Sequence, residues 1–256
     1  MFDFAVKVQH AEKGNTHLFF LGQAGFILKS SRGKLLGVDL YLSECAERLA
    51  GHIGFKRLLP CILDASELTF DAIVATHSHW DHFDRDAIPN LMSTSQTHLF
   101  ASSQCEQAIT ELHISKEQVT YTKPGDYFKQ DDFELDFVTC DHGQAAPDAV
   151  GLIITVDKKK IYMTGDTCLR LDRIAEYLSK GPIDVLIAPI NGAYGNMNEH
   201  DCAELSAALH PGLTIPCHYG MFAVQGGDPG LFLRNMRTIC PLSDCLLMAQ
   251  GEGIVL

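Results

Sequence analysis

The segment VATHSHWDHFD, residues 74–84, constrains this 256-residue chain more than any other. It places three histidines and two aspartates directly after the apolar run DAIVAT, which predicts a buried strand over 71–76. Imidazoles this close repel one another when protonated, and histidine ordinarily titrates near pH 6.5. A polar, solvated loop is the alternative interpretation. Because a bound cation would hold the imidazoles neutral, the segment predicts a metal site at a strand end.

Other apolar runs are also followed by side chains that can bind a metal. Asp39 follows LLGV, His142 follows DFVTC, Asp166 follows IYMTG and His218 follows LTIPC. Loops beyond strand ends are where a rigid scaffold places functional groups. We therefore expect these side chains to lie near the histidine cluster.

Hydrophobic patterning predicts strands that alternate with helices along the whole chain. The predicted strands are 17–22, 25–30, 34–40, 71–76, 97–102, 133–140, 150–156, 160–165, 184–190 and 213–218. Helices are predicted over 106–113, 169–179 and 199–210, the first with a capping box formed by Ser103 and Glu106. No linker or repeat interrupts the pattern, so we expect an α/β architecture in a single domain over 1–256.

Composition excludes several classes of protein. The formal net charge of −12 argues against a nucleic-acid partner, although it leaves a small anionic substrate open. The N-terminal residues lack the apolar stretch of a secretory signal, and no apolar run approaches the roughly 20 residues of a membrane helix. Nine cysteines without a CxxC spacing predict no disulfide framework. We expect a cytoplasmic, soluble protein with no membrane partner, and a homo-oligomer stays open.

The order of the motifs resembles that of the metallo-β-lactamase superfamily. THSHWDHFD, the isolated His142, TGDT at 164–167 and PCHYG at 216–220 carry the resemblance. LGQAGFILKSSRGKLLGVDLY, KPGD, APDAVG and INGAYGNMN further resemble the UlaG-like branch, the L-ascorbate 6-phosphate lactonases. The resemblance implies a four-layer αββα metallo-β-lactamase sandwich built from two similar halves.

The resemblance also implies a set of metal ligands. One metal would be bound by His77, His79 and His142, and a second by Asp81, His82 and His218, with Asp166 bridging the two. Asp39 would hydrogen-bond and orient this cluster. A histidine and aspartate set without cysteine suits two divalent ions, zinc or manganese, and leaves iron open.

These residues predict hydrolysis by a metal-activated hydroxide that attacks a carbonyl carbon or a phosphorus. Asp81 is a candidate to accept a proton from the water, and His200 is a candidate to protonate the leaving group. Substrate contacts are predicted for Asn191, Tyr194, Asn196, Asn198 and Tyr219. The alternative for these asparagines is that they only form turns and cap the next helix.

Three functions remain open from the sequence. The first is a hydrolase of a small substrate, such as a lactone or a phosphorylated lactone. The absence of an arginine or lysine cluster near the motifs, and the short connection after His142, count against a sugar phosphate. The second is a metal-dependent phosphodiesterase or nuclease. The third is a non-catalytic metal-binding regulator, which would predict missing ligands.

Overall fold

The computed structural model describes residues 3–256, in which two seven-stranded sheets contain most of the apolar core. The first sheet contains β1 (His17–Gly22), β2 (Gly25–Lys29), β3 (Leu35–Val38), β4 (Ala72–Ala75), β5 (His98–Ser102), β6 (Val119–Thr122) and β14 (Gly253–Val255). The second contains β7 (Tyr127–Gln130), β8 (Phe133–Thr139), β9 (Val150–Val156), β10 (Lys159–Met163), β11 (Val185–Pro189), β12 (Leu213–Cys217) and β13 (Asp244–Cys245).

Seven α-helices flank the sheets in the part of the chain that the structure describes. They are α1 (Phe4–His10), α2 (Cys45–Ala50), α3 (Ile88–Leu91), α4 (Glu106–Glu111), α5 (Ile174–Leu178), α6 (Glu199–Leu209) and α7 (Pro229–Ile239). Within residues 3–256, none of these helices is long and apolar enough to cross a bilayer.

The two sheets repeat the same pairing pattern. In the first sheet, β14, β1, β2 and β3 pair antiparallel, and β3 to β6 then pair in parallel. In the second, β7 to β10 pair antiparallel and β10 to β13 pair in parallel. Asp157 and Lys158 both have positive φ in the two-residue turn between β9 and β10, as expected for a type I′ hairpin. The molecule is therefore built from two similar halves.

The alternation of side chains along the strands produces the layers. Leu18 and Phe20 pack between the sheets, whereas Phe19 points to the outer face with α1 and α3. In the second sheet, Leu152 lies between the sheets and Ile153 packs outward against α5, α6 and α7. The order of layers is helix, sheet, sheet, helix, which confirms the predicted four-layer αββα fold.

Two local predictions were wrong. Ser103 begins a 3₁₀ turn, and its hydroxyl donates to Asp148, so it forms no capping box with Glu106. The helix predicted over 169–179 starts later, because a 3₁₀ turn over Leu171–Arg173 precedes α5. All nine cysteines are free in the structure.

Candidate metal centre

The carboxyl ends of parallel strands bring the candidate ligands to one edge of the two sheets. His77 and its neighbours follow β4, Asp166 follows β10 and His218 follows β12. His77, His82 and His218 are each at most 2 % exposed, so the site lies beneath the surface. His218 is fixed in a left-handed conformation, φ 60°, and its amide donates to the carbonyl of Gln23 at 2.7 Å.

Three imidazoles form the first cluster, which we call the three-histidine group: His77, His79 and His142. The Nδ1 atom of His79 lies 2.9 Å from Nε2 of His77 and 3.2 Å from Nε2 of His142. Burial lowers the pKa of His77 and His79 and lowers that of His142 to about 4. The group therefore presents neutral nitrogens that point toward a common centre, as a divalent transition metal requires.

Asp81, His82 and His218 form the second cluster, the aspartate–histidine group. Nε2 of His218 lies 3.3 Å from Nε2 of His82 and 3.3 Å from Oδ2 of Asp81. Although burial favours the neutral imidazole, the carboxylates of Asp166 and Asp81 raise the pKa of His218 to about 9. Burial also opposes ionisation of Asp81, but His82 and His218 hold the pKa of its carboxyl below the usual range.

Asp166 lies between the two groups. Its Oδ1 is 3.3 Å from Nε2 of His82, and its Oδ2 is 3.0 Å from Nε2 of His218 and 3.8 Å from Nε2 of His142. Burial opposes ionisation, yet His218 and His82 hold the pKa of Asp166 well below its usual range. The carboxylate is thus placed to contact ions in both groups.

Asp39 orients the ligands from behind. Its Oδ2 accepts a hydrogen bond from Nδ1 of His82 at 2.8 Å, and its two oxygens accept from the amide and hydroxyl of Thr76, each at 2.8 Å. Histidines that bind metals usually donate their other ring nitrogen to a carboxylate in this way. Because this bond leaves Nε2 of His82 facing the cluster, the residues fit a bound cation.

The sequence interpretation missed Gln23, which is fully buried beside the aspartate–histidine group. Its amide Nε2 donates to Oδ2 of Asp81 at 2.7 Å and to Oε1 of Gln225 at 2.8 Å. Gln23 adopts a positive φ of 55° in the turn between β1 and β2. A polar amide within the apolar run LGQAG was the available signal.

A cavity of about 580 Å³ opens above both groups. Its polar lining residues include His79, Asp81, His142, Asp166 and His218. Its large apolar lining residues, which we call the aromatic wall, are Ile53, Phe55, Trp80 and Tyr194. None of the described residues that line the cavity is a lysine or an arginine.

The structure places only one of the predicted substrate residues, Tyr194, in the cavity lining that it describes. Asn196 instead donates to Oδ2 of Asp166 at 2.8 Å, and Asn198 caps α6 by accepting from the amides of His200 and Asp201. Asn191 is buried, with its Nδ2 3.4 Å from the carbonyl of Ala193. The alternative interpretation, turns and a helix cap, describes Asn191 and Asn198 better.

Tyr219 and His200 also lie outside the described lining of the cavity. Tyr219 packs partly buried against the outer core of the second sheet. His200 is exposed near the start of α6, where its Nδ1 is 3.9 Å from Oε1 of Glu204. Neither side chain reaches the candidate ligands by these contacts.

Comparison with known proteins identifies relatives across most of the chain. Residues 17–218 match a family described as the β-lactamase superfamily domain. A UPF0173 metal-dependent hydrolase of Enterococcus faecalis is 31% identical over 183 residues, covering 67% of this chain and 77% of that protein. One from Heliobacterium modesticaldum is 24% identical, covering 94% and 97%. A metallo hydrolase from Ignicoccus hospitalis superposes with a TM-score of 0.73 at 22% identity, covering 94% and 98%.

Proposed function

Because the chain belongs to the β-lactamase superfamily, we propose that it is a metal-dependent hydrolase of a small substrate. The observation that carries the proposal is a cluster of seven buried or half-buried histidine and aspartate side chains, five of which line one cavity. The three-histidine group would hold one divalent ion and the aspartate–histidine group a second, with Asp166 between them. Bound zinc or manganese would supply Lewis acidity and lower the pKa of water toward neutrality.

The protein's own residues would orient the metal ligands and the attacking water. Asp39 fixes the ring of His82, and Asn196 fixes the carboxylate of Asp166. Asp81 lines the cavity and is ionised at neutral pH, so its carboxylate can accept a hydrogen bond from water there and orient it toward substrate. A carboxylate with a lowered pKa is a weak base, which supports orientation over proton storage. We assign His200 no step, since it lies outside the described cavity lining.

Within this activity we propose a lactone as the substrate, as the UlaG-like resemblance implies. The lining favours an unphosphorylated lactone, because the described residues around the cavity include no lysine or arginine to pair with a phosphate. The same observation gives phosphodiesters and nucleic acids less support. We also propose that residues 1–256 form one domain, since both sheets share one buried apolar layer. Cytoplasmic location and oligomeric state stay predictions.

The test is hydrolysis of a panel of lactones, esters and thioesters by protein of measured metal content. We expect hydrolysis by protein reconstituted with zinc or manganese, loss of hydrolysis with a chelator, and loss of both metal and activity in His79→Ala. His10→Ala removes an exposed histidine outside the site and is the matched control. Hydrolysis that resists chelation, or none of these substrates cleaved after reconstitution, would refute the proposal.

A further inference from the structure

The aromatic wall has no role in binding ions, yet it forms one side of the cavity. Ile53 is 60 % exposed, Tyr194 is 55 % exposed and Trp80 is 38 % exposed. Large apolar side chains that gather around the mouth of a cavity mark a ligand surface rather than ordinary scatter. The wall lines the same cavity as His79 and His142 of the three-histidine group, so a molecule that fills this cavity can contact both.

Packing behind the wall holds it in place. The ring centroids of Phe55 and Tyr194 are 5.6 Å apart, and those of Phe55 and Phe222 are 5.5 Å apart. Phe222 is buried, and its ring centroid lies 5.5 Å from that of the buried Tyr41. Gly54 has a φ of 106°, and a Cβ there would come within 2.7 Å of Val224, so only glycine permits this close approach.

Tyr194 is held in a conformation that its residue type rarely adopts. Its φ is 56°, between Gly192 at 59° and Gly195 at 87°. The left-handed region is unfavourable for an aromatic residue, and such strain is concentrated at ligand sites. The tyrosine keeps this conformation although glycine would relieve the strain, and its side chain lines the cavity.

The arginine that contacts this packing, Arg57, already has partners. The guanidinium of Arg57 lies 4.4 Å from the ring centroid of Tyr41, and it donates to the carbonyls of Ser43 at 2.6 Å and Leu59 at 2.7 Å. Arg57 is not among the described residues that line the cavity. An anionic group of a ligand packed against the wall would lose water without a lysine or arginine among the described lining residues to pair with it.

We infer that the aromatic wall binds an uncharged aryl or alkyl substituent of the substrate and places the scissile bond over the ion-binding groups. This inference rests on the proposed function and adds to it a substrate class, hydrophobic lactones, and a specificity residue, Tyr194. A substituent that carries a negative charge is expected to bind the wall more weakly than its uncharged counterpart.

Trp80 is the only tryptophan of the chain and lies in the wall, so its fluorescence reports what enters the cavity. The probe is N-benzyl-2-pyrrolidone, an uncharged lactam that resists hydrolysis, titrated into zinc-loaded protein. We expect saturable binding, about tenfold tighter than that of the same lactam with a sulfonate on the benzyl ring. Equal or tighter binding of the sulfonate, or no binding of the lactam, would overturn the inference.

The decisive variant is Tyr194→Gly, which removes the ring and relieves the positive φ. We expect it to bind the lactam about tenfold more weakly while its melting temperature stays equal or rises. Tyr127→Ala, which removes a tyrosine of similar exposure, 51 %, on β7, is expected to bind like the wild type. Wild-type affinity in Tyr194→Gly would contradict the inference.

Hydrolysis of γ-phenyl-γ-butyrolactone separates the two proposals. If the lactam binds as expected but this lactone and the wider panel are not cleaved, the wall stands and the hydrolase proposal fails. If Tyr194→Gly cleaves it with wild-type kcat/KM, the hydrolase stands and the wall inference fails.

Discussion

The three-histidine group and the aspartate–histidine group are neighbours with opposite protonation in the absence of metal. Burial outweighs the attraction of the Asp166 carboxylate and keeps His77 and His142 neutral, whereas the carboxylates beside His82 and His218 outweigh burial and favour their charged forms. The first group can accept a cation without losing protons. The second must release protons as the cation enters, because metal ligands bind in their deprotonated form. Burial alone therefore does not decide how a histidine at this site titrates.

Asp166→Asn is expected to have the largest effect, since Asp166 is the residue that contacts both groups. An amide keeps the shape but removes the negative charge between them. A loss of several kcal/mol of electrostatic stabilisation corresponds to a fall in kcat/KM of roughly 10³-fold. Bound metal is expected to fall as well, measured by mass spectrometry on purified protein.

The matched control for that experiment is Asp172→Asn, which removes a carboxylate whose side chain is 60% exposed and pairs with Arg170. It is expected to keep wild-type activity and metal content, because an exposed ion pair contributes little. An Asp166→Asn protein with wild-type metal content and activity would show that the bridging position is misassigned.

Asp39→Asn is expected to weaken metal binding at the aspartate–histidine group more than at the three-histidine group. The amide keeps an oxygen for the backbone of Thr76 but places a donor where His82 Nδ1 needs an acceptor. Loss of such an orienting carboxylate typically weakens metal affinity 10–100-fold. We expect a calorimetric zinc titration to show the loss at the aspartate–histidine group and a smaller change at the other. An equal loss of zinc affinity at both groups would contradict the assignment of Asp39 to the aspartate–histidine group.

Gln23→Leu tests the same group with a smaller change. Leucine removes the hydrogen bond to Asp81 while His218 remains beside that carboxylate. A hydrogen bond to a charged group contributes about 1.5 kcal/mol or more, which corresponds to roughly tenfold in metal affinity. Gln225→Leu is the control, because Gln225 accepts from Gln23 and does not contact Asp81 through a hydrogen bond among the described residues. Equal losses of metal affinity in both variants would show that the effect comes from altered packing rather than from the hydrogen bond to Asp81.

Much of this site was predictable because it depends on local sequence. β1 and β9 have the predicted bounds, since continuous apolar runs between polar turns form buried strands. The candidate ligands follow strand ends, and parallel pairing of β3 with β4 and of β10 to β12 brings those ends together. The position of each candidate ligand directly after a buried strand was sufficient to predict that these side chains lie close together. The exact ligand assignments stay predictions.

The remaining features depend on contacts between distant segments. β6 and β7 were not predicted, because as edge strands they expose Tyr121 and Tyr127 and lack a strong apolar pattern. Phe55 meets Tyr194 only through tertiary packing, so the aromatic wall has no local signature. The asparagines of 191–198 were ambiguous, since the same side chains can cap a helix or contact a ligand. Only their hydrogen bonds distinguish those roles.

Melting temperature against pH should reveal both groups in chelator-treated protein. As pH rises from 6.5 to about 9, the free energy of unfolding falls, because native His218, with its raised pKa, holds a proton that the unfolded chain has lost. As pH falls from 6.5 to about 4, stability is also lost, since the unfolded chain binds a proton that native His142 does not. We expect the melting temperature to reach its maximum near pH 6.5 and to fall by roughly 2–4 °C for each kcal/mol lost from the free energy of unfolding.

Single substitutions should weaken one side of this profile at a time. His218→Gln is expected to reduce the stability loss on the alkaline side and His142→Gln that on the acid side, because each removes one of the shifted imidazoles. The raised pKa of His82 and the lowered pKa values of His77 and His79 keep part of each slope. Zinc-loaded protein should instead gain stability as pH rises through 6.5, since protons then compete less with the metal. If chelated wild-type protein becomes steadily more stable from pH 6.5 to 9, the aspartate–histidine group does not hold the extra protons, and the contrast between the two groups is wrong.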